Sequence, residues 1–196
     1  MLFGERKNCS SKKFQISVTG YDDLIECEVE KKNLKDDKLY STINMKLLQP
    51  IKSFIEEKVL HKQKVCLVNL PGISHLLLDV NIFKFDRNNC LKEAKLIIKE
   101  LGLLNIAAVG VVWFENCQIH PVVYVRDIDS LFYENSCGSG SIAYWIYHAY
   151  LKNSDGDFKF DVIQKNHLVV EVEVELENKI IKSAKLSGYT SFSLQN

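Results

Sequence analysis

The chain has 196 residues, 46% of them hydrophobic, with 25 basic and 25 acidic side chains and a pI near 6.9. A chain of that length buries a sizeable core without metals or disulfides, and zero net charge argues against nucleic acid as a principal partner. No apolar run approaches the roughly 18 residues needed to span a membrane, and Met1-Leu2-Phe3 runs directly into charge, so no membrane partner or signal peptide is expected and a cytoplasmic location is.

In chain order, Phe14 to Val18 and Ile25 to Val29 alternate apolar and polar residues around Gly20-Tyr21-Asp22, which predicts a hairpin. Further strands are expected at Thr42 to Leu47, Lys64 to Leu70, Leu76 to Val80, Ala108 to Phe114, Gln118 to Val125 and Leu131 to Glu134. Three more follow at Phe158 to Ile163, His167 to Val174 and Ile180 to Leu186. Short turns rather than crossover helices link these strands, so few parallel pairs are expected. Helical periodicity appears at Cys90 to Leu101 and Ser139 to Lys152. In the second, Ile142, Trp145, Ile146 and Ala149 form one stripe that Tyr144, Tyr147 and His148 widen, the pattern of a largely enclosed helix.

Six cysteines are present at positions 9, 27, 66, 90, 117 and 137. With no Cys-x-x-Cys and no His-x-x-x-His, they point neither to a disulfide frame nor to a metal site. Only Cys137 has a special context: Glu134-Asn135-Ser136-Cys137-Gly138-Ser139-Gly140-Ser141 runs straight into the second helix. Its thiol stands where the helix dipole is positive and the first N–H groups lack intrahelical acceptors. A thiolate there is expected to have a lowered pKa, which would make Cys137 the most reactive thiol of the chain. Backbone N–H groups of Gly138, Ser139 and Gly140, with Asn135 and Ser136 beside them, are the candidate cradle for a carboxylate. The plain alternative is a glycine-rich turn around an inert buried cysteine.

The cysteine motif, Leu70-Pro71-Gly72-Ile73-Ser74-His75 with the apolar run after it, and Ala108-Val109-Gly110-Val111 leading into Val122-Val123-Tyr124-Val125 together resemble the second half of the diaminopimelate epimerase family. These are cofactor-independent amino acid racemases and epimerases that use two cysteines. Within the family, Phe14 to Gly20, Asp23-Leu24-Ile25 and Ser130 to Cys137 look like stretches of the histidine racemases of opine-type metallophore synthesis. The resemblance implies an α+β fold, a mainly antiparallel sheet wrapped around a central helix, and an amino acid as the small-molecule partner. It implies proton exchange at the α-carbon, with Cys137, His75 and Glu134 as catalytic residues and Gly72, Asn135, Ser136, Gly138, Ser139 and Gly140 as substrate-binding ones, without cofactor or metal. His75 matches the family's Gly-x-x-His position, although a histidine before an apolar run is equally often structural.

The chain departs from the family in lacking the Cys-Gly-Asn motif that carries the first cysteine, and Met1 to Lys7 read as the end of the helix that follows it. Residues 1–56 are therefore expected to be a remnant of the first half, 57–188 a complete second domain, and 189–196 a strand returning to the first half. Such a remnant exposes strand edges and an apolar face, which homodimerisation would cover. Relatives acting on diaminopimelate carry asparagines where this chain has Ile73 and Ala108, which favours another amino acid. Two rivals come from other classes: a non-catalytic amino acid-binding module, and a cysteine hydrolase using Cys137 with His75 or His148, for which no acid partner is evident.

Overall fold

The computed structural model describes residues 11–17, 23–30, 38–153 and 155–191. Their alternating stretches become β1 (Ser11–Ile16), β2 (Ile25–Glu30), β3 (Lys38–Met45), β4 (Gln49–Pro50), β5 (Ile55–Leu60), β6 (Gln63–Leu70) and β7 (Ile73–Asp79). Then come α1 (Cys90–Glu100), β8 (Ala108–Glu115), β9 (Gln118–Val125), β10 (Ser130–Tyr133), α2 (Gly138–Lys152), β11 (Gly156–Ile163), β12 (Val169–Glu177) and β13 (Ile180–Ser191). All thirteen strands belong to one sheet in the order β1-β2-β3-β13-β12-β11-β9-β8-β7-β6-β5, with β10 on β9 and β4 on β13. β1 and β2 pair antiparallel from Ser11↔Glu30 to Ile16↔Ile25, as the hairpin pattern requires, while Gly20-Tyr21-Asp22 lies outside the described residues. Cys9, Lys31 to Asp37 and residues 192–196 lie outside them too.

The centre of the sheet is apolar on both faces, because a helix covers each. Leu67, Leu76, Leu78, Val111 and Trp113 pack with Ala94, Ile97 and Ile98 of α1. Their neighbours in sequence, Cys66, Val68, Leu77, Val112 and Phe114, turn the other way into the core around α2. Parallel pairs are few, as the short turns lead one to expect, and the one extended parallel pair lies at this point. β7 and β8 pair in parallel from Ser74↔Val109 to Asp79↔Phe114, and α1 is the crossover between them. Strands buried on both faces are those that α-helical crossovers serve. The charged stretch of β5 carried no clear strand pattern because it is an edge: Glu56, Glu57 and Lys58 keep the outer rim solvated.

α2 runs through the concave side of the sheet and is buried over most of its length, from Gly140 and Ser141 through Ile142, Trp145 and Ile146 to Ala149. Leu47, Ile51 and Phe54 join its core, which therefore reaches back past residue 57. The helix ends where Asn153 adopts a left-handed conformation (φ 48°) and its N–H bonds the Ala149 carbonyl at 3.0 Å. Among the described residues no helix is long and apolar enough to cross a membrane, which says nothing about strands.

One close approach positions the functional end of α2. The parallel register sets His75 against Gly110, and a Cβ on residue 110 would stand 2.1 Å from His75 Nδ1. Gly110→Ala is therefore expected to destabilise the fold by about 3 kcal/mol in denaturant titration. His75→Ala in the same chain should recover most of the loss, a non-additivity that a general strand effect would not produce.

Candidate active site

Cys137 is the N-cap of α2, with extended backbone dihedrals of φ −134° and ψ 100°. Its carbonyl accepts the first intrahelical bond, from Ser141 N–H at 3.0 Å, while its own Sγ accepts from Gly140 N–H at 3.4 Å. The helix mouth thus caps itself with a sulfur. Of the four N–H groups that a helix start leaves without intrahelical acceptors, Cys137's is taken by the Gln164 side chain and Gly140's by that sulfur, while those of Gly138 and Ser139 have no acceptor among the described residues. Of the three N–H groups expected to be open at the helix mouth, Gly140's is therefore already occupied.

Ser139 links the thiol to His75. Its Oγ lies 3.6 Å from Cys137 Sγ and 2.9 Å from His75 Nε2. The histidine is 0% exposed, and among the described residues its Nδ1 has no hydrogen-bond partner. Burial lowers its pKa to about 3, so the ring is neutral at physiological pH. Glu134, at the end of β10, is held by its N–H to the Pro121 carbonyl at 2.9 Å, and its carboxylate acts electrostatically on Cys137.

The expected low-pKa thiolate is not what the fold produces. Cys137 is 4% exposed, and burial first, then the charge of Glu134, push its pKa up to about 12 against the lowering effect of Ser139 and Gly140. The magnitudes decide it: a helix dipole contributes at most about 2 kcal/mol, whereas removing a charge from water costs several kcal/mol. The resting group is a protonated thiol.

The other sequence candidates spread outward from this point. Asn135 and Ser136 are exposed in the loop before Cys137. Gly72 is exposed in the turn between β6 and β7, where its φ of 81° explains the glycine. His148 lies eleven residues along α2 from Cys137, roughly 16 Å at the helical rise, and stacks edge-on to Tyr144 at 4.4 Å in the helix core. It cannot serve Cys137 as a base, which removes one form of the hydrolase alternative. Of the cysteines, Cys66 and Cys90 are buried, Cys27 is half-buried and Cys117 is exposed in the β8–β9 turn; no disulfide links the described cysteines. No cluster of three or more potential metal ligands occurs among the described residues.

Gln164, just past the end of β11, was not legible as a site residue. Its side chain is 0% exposed, and Oε1 accepts from Cys137 N–H at 3.0 Å. A polar residue after a strand carries no sequence signal of where its amide will point. A groove of about 670 Å³ on the outer face of β2, β3 and β13, lined by Thr42, Asn44, Lys185 and Ser187, includes none of Cys137, Ser139 or His75.

A sheet wrapped around a helix whose N-terminus presents a cysteine is the α+β architecture of the epimerase-like proteins. A predicted epimerase from Pseudomonas aeruginosa superposes with a TM-score of 0.53 at 11% identity, over 97% of this chain and 70% of that one, which establishes the likeness of fold. The chain belongs to the family described as "Histidine racemase CntK N-terminal domain", which matches residues 3–194. That description is of an N-terminal domain. Two curated relatives, histidine racemases from strains of Fusobacterium nucleatum subsp. nucleatum, are 28% and 27% identical over 168 residues, 85% of this chain. The matched region is 60% of those relatives' length.

Two outcomes follow from the burial of the site. Iodoacetamide with site-resolved mass spectrometry should label exposed Cys117 at least about tenfold faster than Cys137, the reverse of what the helix-mouth position alone predicts; equal rates would contradict the buried thiol. His75 has a pKa of about 3 folded against 6.5 as an ordinary histidine, so in that window the unfolded chain binds the proton and stability falls as pH drops. At pH 4 the loss attributable to His75 should be on the order of 3 kcal/mol, and His75→Gln should flatten that part of the stability profile.

Proposed function

We propose that this chain supplies one proton-transfer half of a cofactor-independent amino acid racemase that acts on histidine. The observation that carries the proposal is the Cys137 turn: a buried, protonated thiol at a helix mouth, beside the N–H groups of Gly138 and Ser139, which have no acceptor among the described residues. The substrate carboxylate would sit on the N–H groups of Gly138 and Ser139, which lower the cost of electron density developing at the α-carbon. The Cys137 S–H bond breaks as its proton passes to that carbon. The thiolate left behind is met by the Gly140 N–H and by the Ser139 hydroxyl, whose other neighbour is the neutral ring of His75. In the reverse direction the thiolate removes the same proton, and Glu134 raises its basicity.

Inversion needs an acid and a base on opposite faces of the α-carbon. In this proposal the opposing group comes from sequence beyond these 196 residues, at the Cys-Gly-Asn motif that they lack. Family membership and the two histidine racemase relatives support histidine as substrate. So do Ile73 and Ala108. The register that pairs Ser74 with Val109 sets them side by side at the start of β7 and β8, on the face shared with His75, where an asparagine pair would grip a second amino acid terminus. A buried polar end without partners costs a few kcal/mol.

Deuterium uptake at the α-carbon in heavy water tests this directly. The chain alone should exchange histidine slowly. A protein of the relatives' length that contains it should invert histidine and lose activity by at least about a thousandfold with Cys137→Ala. It should also turn over histidine better than diaminopimelate by chiral chromatography. Equal or better turnover of diaminopimelate would overturn the substrate assignment, and retained activity in Cys137→Ala would overturn the mechanism.

A further inference from the structure

We infer that Gln164 is the positioning residue of the Cys137 turn, an inference that rests on the proposed role of Cys137 as proton donor. The Gln164 amide makes three hydrogen bonds: Oε1 accepts from Cys137 N–H at 3.0 Å, and Nε2 donates to Ser141 Oγ at 3.0 Å and to the Val162 carbonyl at 3.2 Å. Ser141 then donates from its Oγ to the Cys137 carbonyl at 2.8 Å. The N–H and the C=O of Cys137 are thus both tied to one side-chain amide, the first directly and the second through a single hydroxyl.

Gln164 is itself held at both ends of its peptide unit. Its N–H donates to the Leu168 carbonyl at 2.7 Å and its carbonyl accepts from His167 N–H at 3.1 Å, which closes a tight turn. One residue earlier, Ile163 N–H donates to the Cys117 carbonyl at 2.8 Å and fastens the end of β11 to the β8–β9 turn. The chain around Cys137 is far less constrained. Exposed Asn135 and Ser136 precede it, and two of the next three residues are glycines. Without a tie to the rigid sheet, a thiol in such a loop wanders, and a misplacement of about 1 Å costs roughly a hundredfold in rate.

Burial makes the assignment specific. An amide taken out of water costs about 1–3 kcal/mol for each group left unsatisfied, so a fully buried glutamine is retained only where its bonds are made. Here three of its four hydrogen-bonding capacities are met, and two of those bonds serve the Cys137 turn. The same contact shapes the ligand cradle. Because Gln164 occupies the Cys137 N–H, an incoming carboxylate meets only those of Gly138 and Ser139.

The test uses the 196-residue chain and measures alkylation of each cysteine against pH by mass spectrometry, with buried Cys66 and Cys90 as internal controls. Gln164→Met keeps the length and removes the bonds. It should raise the rate at Cys137 about tenfold and move its pH profile to lower pH, while Cys66 and Cys90 keep their wild-type rates. Gln164→Glu, kept neutral by burial, retains an acceptor and one donor and should stay within about threefold of wild type near neutral pH. If Gln164→Met does not fold, Ser141→Ala breaks only the hydroxyl link and should give the same selective rise, by about threefold.

An unchanged Cys137, or a rise shared equally by Cys66 and Cys90, would overturn the inference by showing no role or only general loosening. In an active enzyme of the relatives' length, Gln164→Met should lower kcat for α-proton exchange about a hundredfold with KM nearly unchanged. Absence of exchange in the unsubstituted enzyme would refute the proposed function alone, since the alkylation result still decides the place of Gln164.

Discussion

The arrangement around Cys137 depends on the enclosure of α2. A helix buried within a sheet must satisfy its first N–H groups from inside the protein, because water does not reach them. Here the N-cap is a cysteine whose sulfur accepts from Gly140, the third helical residue, and the N–H groups of Gly138 and Ser139 lie beside it. The same enclosure withdraws the thiol from solvent and raises its pKa to about 12. A helix mouth at a surface favours a thiolate, whereas this one, inside a core, keeps its thiol protonated.

The sheet supplies everything that the helix mouth lacks. β7 brings His75 to Ser139, and it can do so because β8 presents Gly110 rather than a side chain where the imidazole lies. The end of β11 brings Gln164 beneath the Cys137 peptide, and β10 delivers Glu134 next to the thiol. Residues from separate strands therefore meet around the Cys137 turn, those of β7 and β8 carried by strands that are packed with apolar side chains on both faces. Rigid elements hold a reactive group more closely than loops do. The flexible Gly-Ser-Gly sequence is tolerable because both peptide groups of Cys137 are fastened to the sheet.

In the function proposed above, the Cys137 turn is one side of a symmetric problem, in which an α-proton leaves one face of a carbon and returns to the other, and a protonated thiol opposite a deprotonated base would meet that demand in either direction. The elevated pKa of Cys137 fits the donor state of such a pair.

Much of this molecule is a local property of its sequence. Period-two alternation located most of the strands and the 3.6-residue stripe of Ile142, Trp145, Ile146 and Ala149 located α2 as an enclosed helix, since both patterns depend only on neighbouring residues. The place of Cys137 at the start of that helix was legible for the same reason, in the glycines and serines that follow it. β5 escaped because an edge strand keeps its charges and so hides its period. The parallel pairing of β7 with β8 escaped because it is a property of the crossover and not of either strand. The ionisation of Cys137, the contact of His75 with Gly110 and the bonds of Gln164 were decided only by the tertiary structure. Each depends on which groups meet through space and how much water they lose, and residues 75, 110, 137 and 164 become neighbours only when the sheet closes around α2.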